Sequence, residues 1–256
     1  MAQIQSHRDG AVATVVISNP SKMNAMTPEM WSSLRSALDS ADADPAVRVI
    51  VITGEGDKAF VSGADIGRLD PKATEGDAPP ESSMPYMSPL RCSKPVVAKI
   101  RGFCFGGGLG LAAACDIRFC SDDAQFRMPA ARLGLGYSYV GIARFISILG
   151  TPNTFDLFMS ARRFGAEDAL RMGFVARAVD AVELDRIVAD YCALVAENAP
   201  MTIAAAKRAI REFLKDPAER DTAAVQAMID ACAKSEDLKE GRAAFMEKRK
   251  PVFKGR

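Results

Sequence analysis

Four glycines fall within the five residues from Gly106 to Gly110, between two segments of different character. The preceding Pro95 to Ile100 is dense in β-branched residues and predicts a strand, whereas the alanine-rich Leu111 to Ala113 predicts a helical turn. Glycine lets a backbone turn sharply and approach other groups closely. A helix that begins here presents free backbone N–H groups and the positive end of its dipole, which favours an anion or a group becoming anionic.

Several interpretations of this glycine cluster compete. A phosphate-binding P-loop needs a Gly-Lys-Ser/Thr ending, which is absent. Gly108 to Ala113 fits the GxGxxA pattern of a dinucleotide site, with Asp122 or Asp123 after the next strand. However, only about two helical turns fit before Asp116, and a parallel crossover needs about a dozen residues or more. The glycines can also simply allow a helix to pack closely on a strand.

A second segment of the same kind suggests an oxyanion site. Ala59 to Ile66 follows a predicted strand at Val47 to Thr53 and a turn at Gly54 to Gly56. Its Gly63-Ala64-Asp65 can begin another helix with exposed N–H groups. Two such helix starts that face each other would donate two hydrogen bonds to one oxygen, as in an oxyanion hole.

Composition excludes several classes of function. The chain has 33 Lys+Arg against 32 Asp+Glu, a net charge of +1, which argues against electrostatic binding to nucleic acid or membrane surfaces. A single histidine, His7, excludes histidine zinc sites and triads that need a histidine deeper in the chain. Six cysteines without CxxC spacing predict buried free thiols in a reducing compartment. With no membrane span or targeting segment visible, we expect a cytoplasmic protein.

The order of patterns predicts an α/β body over residues 1–198 and a helical region over 199–256. Thr27-Pro28 predicts a helix start, with threonine as cap and proline in the first position. Residues 70–90 lack apolar periodicity and predict either a lid over a pocket or a solvated surface loop. Apolar residues at helical spacing predict helices over Glu183 to Glu197, Met201 to Lys215, Ala218 to Lys234 and Leu238 to Lys248.

Taken together, the chain resembles the crotonase (enoyl-CoA hydratase/isomerase) superfamily. Four motifs in the family's order and spacing carry this resemblance over nearly the whole chain: Asn19 to Met26, Phe60 to Ile66, Gly102 to Asp116 and Phe245 to Lys250. It implies an α/β fold, the crotonase-like ββα spiral, with a C-terminal helical region for oligomerisation. It further implies an acyl-CoA substrate, no metal, and no cofactor beyond the coenzyme A that the substrate carries.

The resemblance also implies roles for individual residues. The backbone N–H groups of Ala64 and Gly107 match the two donors to the thioester carbonyl. The residues that match the CoA-contacting turn and the flanks of the first donor are Ser21, Lys22, Met23, Ser62, Asp65 and Ile66. Phe245 and Lys248 match residues that reach the CoA site of a neighbouring subunit, so a homotrimer or dimer of trimers is implied. Lys248 could equally be a solvated helix charge.

Two departures from the family bear on the reaction. Hydratases of the family carry glutamates where this chain has Gly110 and Ala130. Water addition to an enoyl-CoA needs groups that deprotonate water and deliver a proton, so ordinary hydration is doubtful here. A non-catalytic acyl-CoA-binding scaffold is the alternative that these losses suggest.

The segment Leu133 to Ile142 resembles that of methylmalonyl-CoA decarboxylases, whose tyrosine matches Tyr137. Loss of carbon dioxide itself creates an enolate, so this reaction needs no strong base. The chain departs from those enzymes at Ala64, where they carry a histidine, and at Gly110, where they carry an acid. Tyr137 is therefore either a catalytic hydroxyl or an aromatic ring packed in the pocket. Further candidates for an acid/base group are Asp65, Glu81 and Tyr86.

Overall fold

The computed structural model describes residues 2–64 and 84–256. Its strands are β1 (Gln3–Asp9), β2 (Val12–Ser18), β3 (Val49–Gly54), β4 (Ala59–Val61), β5 (Val96–Ile100), β6 (Phe103–Phe105), β7 (Ile117–Ser121), β8 (Gln125–Arg127), β9 (Phe164–Gly165) and β10 (Arg177–Val179). Its helices are α1 (Pro28–Ala43), α2 (Gly107–Ala114), α3 (Tyr139–Ser160), α4 (Ala166–Arg171), α5 (Leu184–Ala196), α6 (Pro200–Phe213), α7 (Thr222–Lys234) and α8 (Glu236–Met246). In these two ranges, no helix combines the length and apolar character needed to cross a membrane.

The described strands form two sheets that the chain visits alternately. The larger has the order β1-β2-β3-β5-β7-β10, parallel except for the β1–β2 pair, and the smaller has the order β4-β6-β8-β9. The pairs β3/β4, β5/β6 and β7/β8 each send their first strand to the larger sheet and their second to the smaller. Helices α2 and α3 follow the second and third pairs. This repetition is the predicted ββα spiral.

Strand β3 is buried on both faces, which fixes the position of its carboxyl end. Val49 and Val51 pack towards α5, against residues such as Leu184. Ile50 and Ile52 point the other way, into the main core between the sheets and helices. Burial of each such side chain stabilises the fold by about 1.5–3 kcal/mol relative to its exposure.

Helix α1 begins where the sequence predicts. The Thr27 side chain accepts a hydrogen bond from the Met30 N–H group (3.3 Å), and Pro28 occupies the first turn. Helix α3 starts at Tyr139 and breaks at Gly150 (φ 70°). The Ser138 hydroxyl caps it by accepting from the Gly141 N–H group (3.1 Å).

Helix α6 is attached to the body through two basic side chains, Lys207 and Arg211. Asp116 accepts hydrogen bonds from Lys207 Nζ (2.6 Å) and Arg211 Nη2 (3.2 Å), and Arg211 also donates to the Cys92 carbonyl (3.0 Å). Helices α6 to α8 make up the predicted C-terminal helical region. The division at residues 198/199 falls in the connection between α5 and α6 and stays a prediction.

The six cysteines are unpaired, as the sequence predicts. Five are buried, and Cys232 is partly exposed. Burial raises the pKa of the Cys92 and Cys115 thiols to about 12, with smaller contributions from neighbouring charges. These thiols therefore stay protonated at neutral pH and behave as small apolar side chains.

Candidate active site

The turn after β2 lies directly against the end of β4. The Met26 N–H group donates to the Gly63 carbonyl (2.9 Å), and Met26 forms an isolated bridge with Ala64. Ser62 binds the same turn twice, from its N–H group to the Met23 carbonyl (3.2 Å) and from its hydroxyl to the Lys22 carbonyl (3.2 Å). The structure therefore brings Lys22 and Met23 next to Ser62, and Met26 next to Ala64.

A buried asparagine holds this turn in shape. The Asn24 side chain donates to the carbonyls of Glu55 (3.0 Å) and Ala59 (2.7 Å) and accepts from the Asn19 N–H group (2.9 Å). Met23 and Asn24 both have positive φ, a conformation that asparagine tolerates better than most residues. Ser21, Lys22 and Met23 keep their side chains exposed beside Ser62 and are accessible to a ligand.

The first turn of α2 is packed against the same segment. A Cβ atom on Gly106 (φ 52°) would lie 3.9 Å from the Gly63 Cα, and one on Gly108 would lie 2.3 Å from the Val61 carbonyl oxygen. The residue at the N-cap, Gly106, has no side chain that could cap this end of the helix. The amino end of α2 thus lies beside the segment that ends at Ala64, and Gly107 is partly accessible whereas Gly108 and Gly110 are buried.

Trp31 of α1 borders this turn, and the sequence analysis missed it. A Cβ atom on Gly107 would lie 3.3 Å from Trp31 Cζ2. The Thr27 cap sets the start of α1 and so the position of Trp31, one turn into the helix. The signal available in the sequence was that the chain's single tryptophan closely follows the Asn19 to Met26 motif.

Two tyrosines occupy the space beside Gly110. A Cβ atom on Gly110 would lie 2.9 Å from Tyr137 Oη and 2.9 Å from Tyr86 Cδ2. The Tyr137 ring rests on Gly141, where a Cβ atom would lie 2.4 Å from Tyr137 Cε1, and it also packs against Phe158 with ring centroids 5.1 Å apart. Glycine at 110 and at 141 leaves room for this ring.

The Tyr137 hydroxyl is buried and has no hydrogen-bond partner among the described residues. The Tyr86 hydroxyl, in contrast, lies 3.1 Å from Met84 Sδ and 3.3 Å from Ser138 Oγ. Burial, and to a smaller extent the neighbouring Tyr86 hydroxyl, raises the pKa of Tyr137 above its ordinary value of 10.0. Tyr137 is therefore neutral at physiological pH.

Gly110 and Ala130, the two positions for which the resemblance implies glutamates in hydratases, are both buried. Ala130 is buried at the start of a short 3₁₀ turn, Ala130–Arg132, and Gly110 is enclosed by the tyrosines. The predicted site residues Asp65 and Ile66 and the candidate Glu81 lie outside the described residues.

The structure does not bring Phe245 and Lys248 to this pocket within one chain. The tail after α8 runs to the amino ends of the parallel strands, where Arg48 Nη2, just before β3, donates to the Phe253 carbonyl (3.2 Å). Ala64 and Gly107 instead follow strands that begin at the carboxyl ends of β3 and β5. Phe245 is 82% exposed, and Lys248 lies beyond the end of α8, which stops at Met246.

Comparisons with known proteins agree with this geometry. The enoyl-CoA hydratase/isomerase family model matches residues 7–256. Carnitinyl-CoA dehydratase of Escherichia coli strain K12 is 34% identical over 97% of both chains, and that of Salmonella typhi is 33% identical over the same share.

Solved structures of the same family share the fold. An enoyl-CoA hydratase/carnithine racemase from Magnetospirillum magneticum superposes with a TM-score of 0.88 at 32% identity, covering 100% of this chain and 97% of that one. A family protein from Hyphomonas neptunium gives a TM-score of 0.90 at 29% identity, covering 99% and 98%. The chain with this glycine-led helix and tyrosine-filled pocket therefore belongs to the enoyl-CoA hydratase/isomerase family of the crotonase superfamily.

Proposed function

We propose that this protein acts on an acyl-CoA thioester through an enolate whose oxygen is held by the Ala64 and Gly107 backbone N–H groups. Two observations support the assignment. The N-cap residue of α2, Gly106, has no side chain to cap the helix, and it packs against Gly63, immediately before Ala64. Fixed backbone dipoles stabilise a developing oxyanion without reorganising, and the loss of one such donor typically costs about 3 kcal/mol of barrier.

The proposal about the reaction type rests on what occupies the space beside Gly110. This space is filled by Tyr137 Oη and the Tyr86 ring, so the pocket has a phenol where hydratases of the family have a carboxylate. A neutral phenol is a poor base for water but a competent proton donor. We therefore expect crotonyl-CoA hydration to be at least about 10²-fold slower than with a complete acid/base pair.

Decarboxylation suits this pocket better. In a malonyl-type thioester the bond between Cα and the carboxylate breaks, carbon dioxide leaves, and the bonding electron pair forms the enolate. The negative charge then develops on the thioester oxygen, where Ala64 and Gly107 would bind it. Cα finally takes a proton, for which Tyr137 is the proposed donor, and the phenolate regains a proton from water.

A turnover panel tests this proposal against its alternatives. The panel contains crotonyl-CoA, malonyl-CoA, methylmalonyl-CoA and carnitinyl-CoA, the last because curated relatives are named carnitinyl-CoA dehydratases. We expect carbon dioxide release from a malonyl-type thioester and very slow hydration. Brisk hydration or dehydration would contradict the proposal and assign the acid/base function to another group. Tight binding of every thioester without turnover would favour the non-catalytic scaffold.

We further propose that a neighbouring copy completes the CoA site. Phe245 and Met246 are 82% and 79% exposed at the end of α8, remote from the pocket of their own chain. Light scattering should show a homotrimer or a dimer of trimers, and a monomer at micromolar concentration would contradict this assembly. No metal or further cofactor is proposed, because coenzyme A enters with the substrate.

Lys248 tests the shared site directly. Replacement of a phosphate-binding lysine removes a charge-assisted hydrogen bond, so Lys248→Glu should weaken CoA binding roughly tenfold in calorimetry. Lys239→Glu is the matched control, since Lys239 is an exposed lysine on α8. Equal affinity of the two variants would show that Lys248 is only a surface charge.

A further inference from the structure

The carboxyl end of α2 is capped by two arginines. Arg118 Nη1 donates to the carbonyls of Cys115 (2.8 Å) and Ala112 (3.4 Å). Arg144 of α3 donates from Nε to the Ala113 carbonyl (2.7 Å) and from Nη2 to the Cys115 carbonyl (3.3 Å). Two guanidinium groups therefore bind carbonyls in the last turn of α2 and at the residue that follows it, where helix carbonyls lack most of their intrahelical partners.

Arg118 is buried in an unusual way for a cation. It is only 8% exposed, and among the described residues no carboxylate lies within ion-pair distance of it. Its other contacts are the Phe174 carbonyl and the Phe174 ring, whose centroid lies 5.4 Å from Cζ. Burial, followed by repulsion from Arg144, lowers the pKa of Arg118 to about 10, so it still carries its charge at neutral pH.

If Arg118 and Arg144 only capped the helix, the burial of their charges would cost more free energy than caps made by neutral donors. Neutral donors can satisfy helix carbonyls, whereas a buried cation loses its hydration and here also repels a second cation. A positive charge at the carboxyl end of a helix does have a specific effect, because it reinforces the direction of the helix dipole. The opposite end of this helix is the amino end at Gly107.

We infer that Arg118 and Arg144 are positioning residues for catalysis, which hold α2 in place and strengthen the positive potential that Gly107 presents to the substrate oxygen. At 1.5 Å per residue, eight residues place the two charges about 12 Å from Gly107 along the helix axis. The helix between them is enclosed in the core, where water screens charges poorly. The inference rests on the proposed oxyanion function of Gly107 and adds the residues that support it.

The test measures polarisation of a bound carbonyl. Butyryl-CoA labelled with ¹³C at the thioester carbonyl serves as the probe, because it has no double bond to hydrate and no carboxylate to lose. Isotope-edited infrared spectroscopy should show its carbonyl stretch at lower frequency when it is bound to the wild-type protein than in water. No shift on binding to the wild-type protein would overturn the oxyanion proposal itself, and the inference with it.

Arg144 is the residue to vary, because it is only partly buried and its loss endangers folding less than the loss of Arg118. Arg144→Gln keeps hydrogen-bond donors but removes the charge, and Arg144→Lys keeps the charge. We expect Arg144→Gln to lose part of the infrared shift and to lower kcat about three- to tenfold with little change in KM. Arg144→Lys should restore most of both.

Arg220→Gln is the matched control. Arg220 is a partly buried arginine that donates to the Lys215 carbonyl (3.2 Å), just past the end of α6, and so has the same kind of role on another helix. It should leave both the infrared shift and kcat unchanged. A wild-type infrared shift and kcat in Arg144→Gln, with the shift present in the wild-type protein, would overturn the inference while leaving the oxyanion proposal intact. An equal loss in Arg220→Gln would also overturn it.

Discussion

The first turn of α2 and the space beside Gly110, one turn further along the helix, use glycine for different reasons. At Gly108 the Val61 backbone excludes any side chain, since a Cβ atom would lie 2.3 Å from its carbonyl oxygen. At Gly110 the obstacles are the side chains of Tyr137 and Tyr86, which could differ in another sequence. Backbone geometry therefore fixes the proposed oxyanion donor, whereas side-chain choice sets the chemistry next to it.

Gly108→Ala should have the largest effect on this comparison. Alanine favours a helix interior by about 1 kcal/mol over glycine, but that gain cannot offset a 2.3 Å contact with backbone. Displacement of α2 from β4 should lower kcat/KM by roughly 10²- to 10³-fold, as expected for loss of an oxyanion donor.

Gly165→Ala provides the control for that experiment. A Cβ atom there would lie 3.6 Å from Gln125 Nε2, an ordinary contact, so activity should not change. Circular dichroism would establish that both variants are folded. A folded Gly108→Ala protein with wild-type kcat/KM would show that the first turn does not hold the substrate oxygen.

Tyr137→Phe should have the next largest effect and should separate activity from stability. If Tyr137 donates the proton, kcat should fall roughly 10²-fold with little change in substrate affinity. Because the removed hydroxyl is buried and lacks a well-aligned hydrogen-bond partner in the part of the chain that the structure describes, the free energy of unfolding should stay equal or rise by about 1 kcal/mol.

Tyr139→Phe is the matched control for Tyr137→Phe. Tyr139 lies two residues away but is 86% exposed, so its hydroxyl should affect neither kcat nor stability. If kcat is unchanged in Tyr137→Phe, the Tyr137 hydroxyl is not catalytic and the residue serves only as an aromatic ring packed in the pocket.

Gly110→Ala should have a smaller effect, on stability. Its Cβ atom would press on two tyrosine side chains at 2.9 Å, and overpacking of this kind costs about 1–3 kcal/mol. The higher helix propensity of alanine relative to glycine offsets up to about 1 kcal/mol of that loss. Urea unfolding of Gly110→Ala should show a net loss that shrinks when Tyr137→Phe is added, because one of the two contacts is then removed. If the two substitutions change the free energy of unfolding additively, the Tyr137 hydroxyl is not the group that the new Cβ atom presses on.

The sequence predicted the parts of this site that depend on local pattern. The Thr27 cap, the strand before the glycines and the short helix after them all follow from residues within one turn of each other. The edge strand β1 was missed because almost all its residues are exposed and show no apolar alternation. The three-residue strands of the smaller sheet are too short to show a period at all.

Contacts between segments that are far apart in the sequence could not be predicted from local sequence pattern. Tyr86 and Tyr137 are far apart in the chain. The 3₁₀ segment Pro85–Arg91 packs on α2 and brings Tyr86 to Gly110, whereas the packing of α3 on α2 brings Tyr137 there. The cap formed by Arg144 arises in the same way. The role of Phe245 and Lys248 stays a prediction, because the family motifs place them at the CoA site of a neighbouring subunit and only one chain is described.

The smallest expected effect is that of pH on Tyr137. Because burial raises its pKa above 10.0, the phenol stays protonated between pH 7 and 9, so its donor form should not limit kcat in that range. The raised pKa of Tyr137 also predicts how the free energy of unfolding depends on pH. The unfolded tyrosine ionises near pH 10 while the folded one does not, so the contribution of Tyr137 is constant below pH 10 and declines as the pH rises further. The difference in unfolding free energy between the wild-type protein and Tyr137→Phe should therefore be flat from pH 7 to 9. An alkaline decline of kcat below pH 9 that disappears in Tyr137→Phe would mean that this hydroxyl ionises in the working enzyme, and the site would then contain a base where we place a neutral acid.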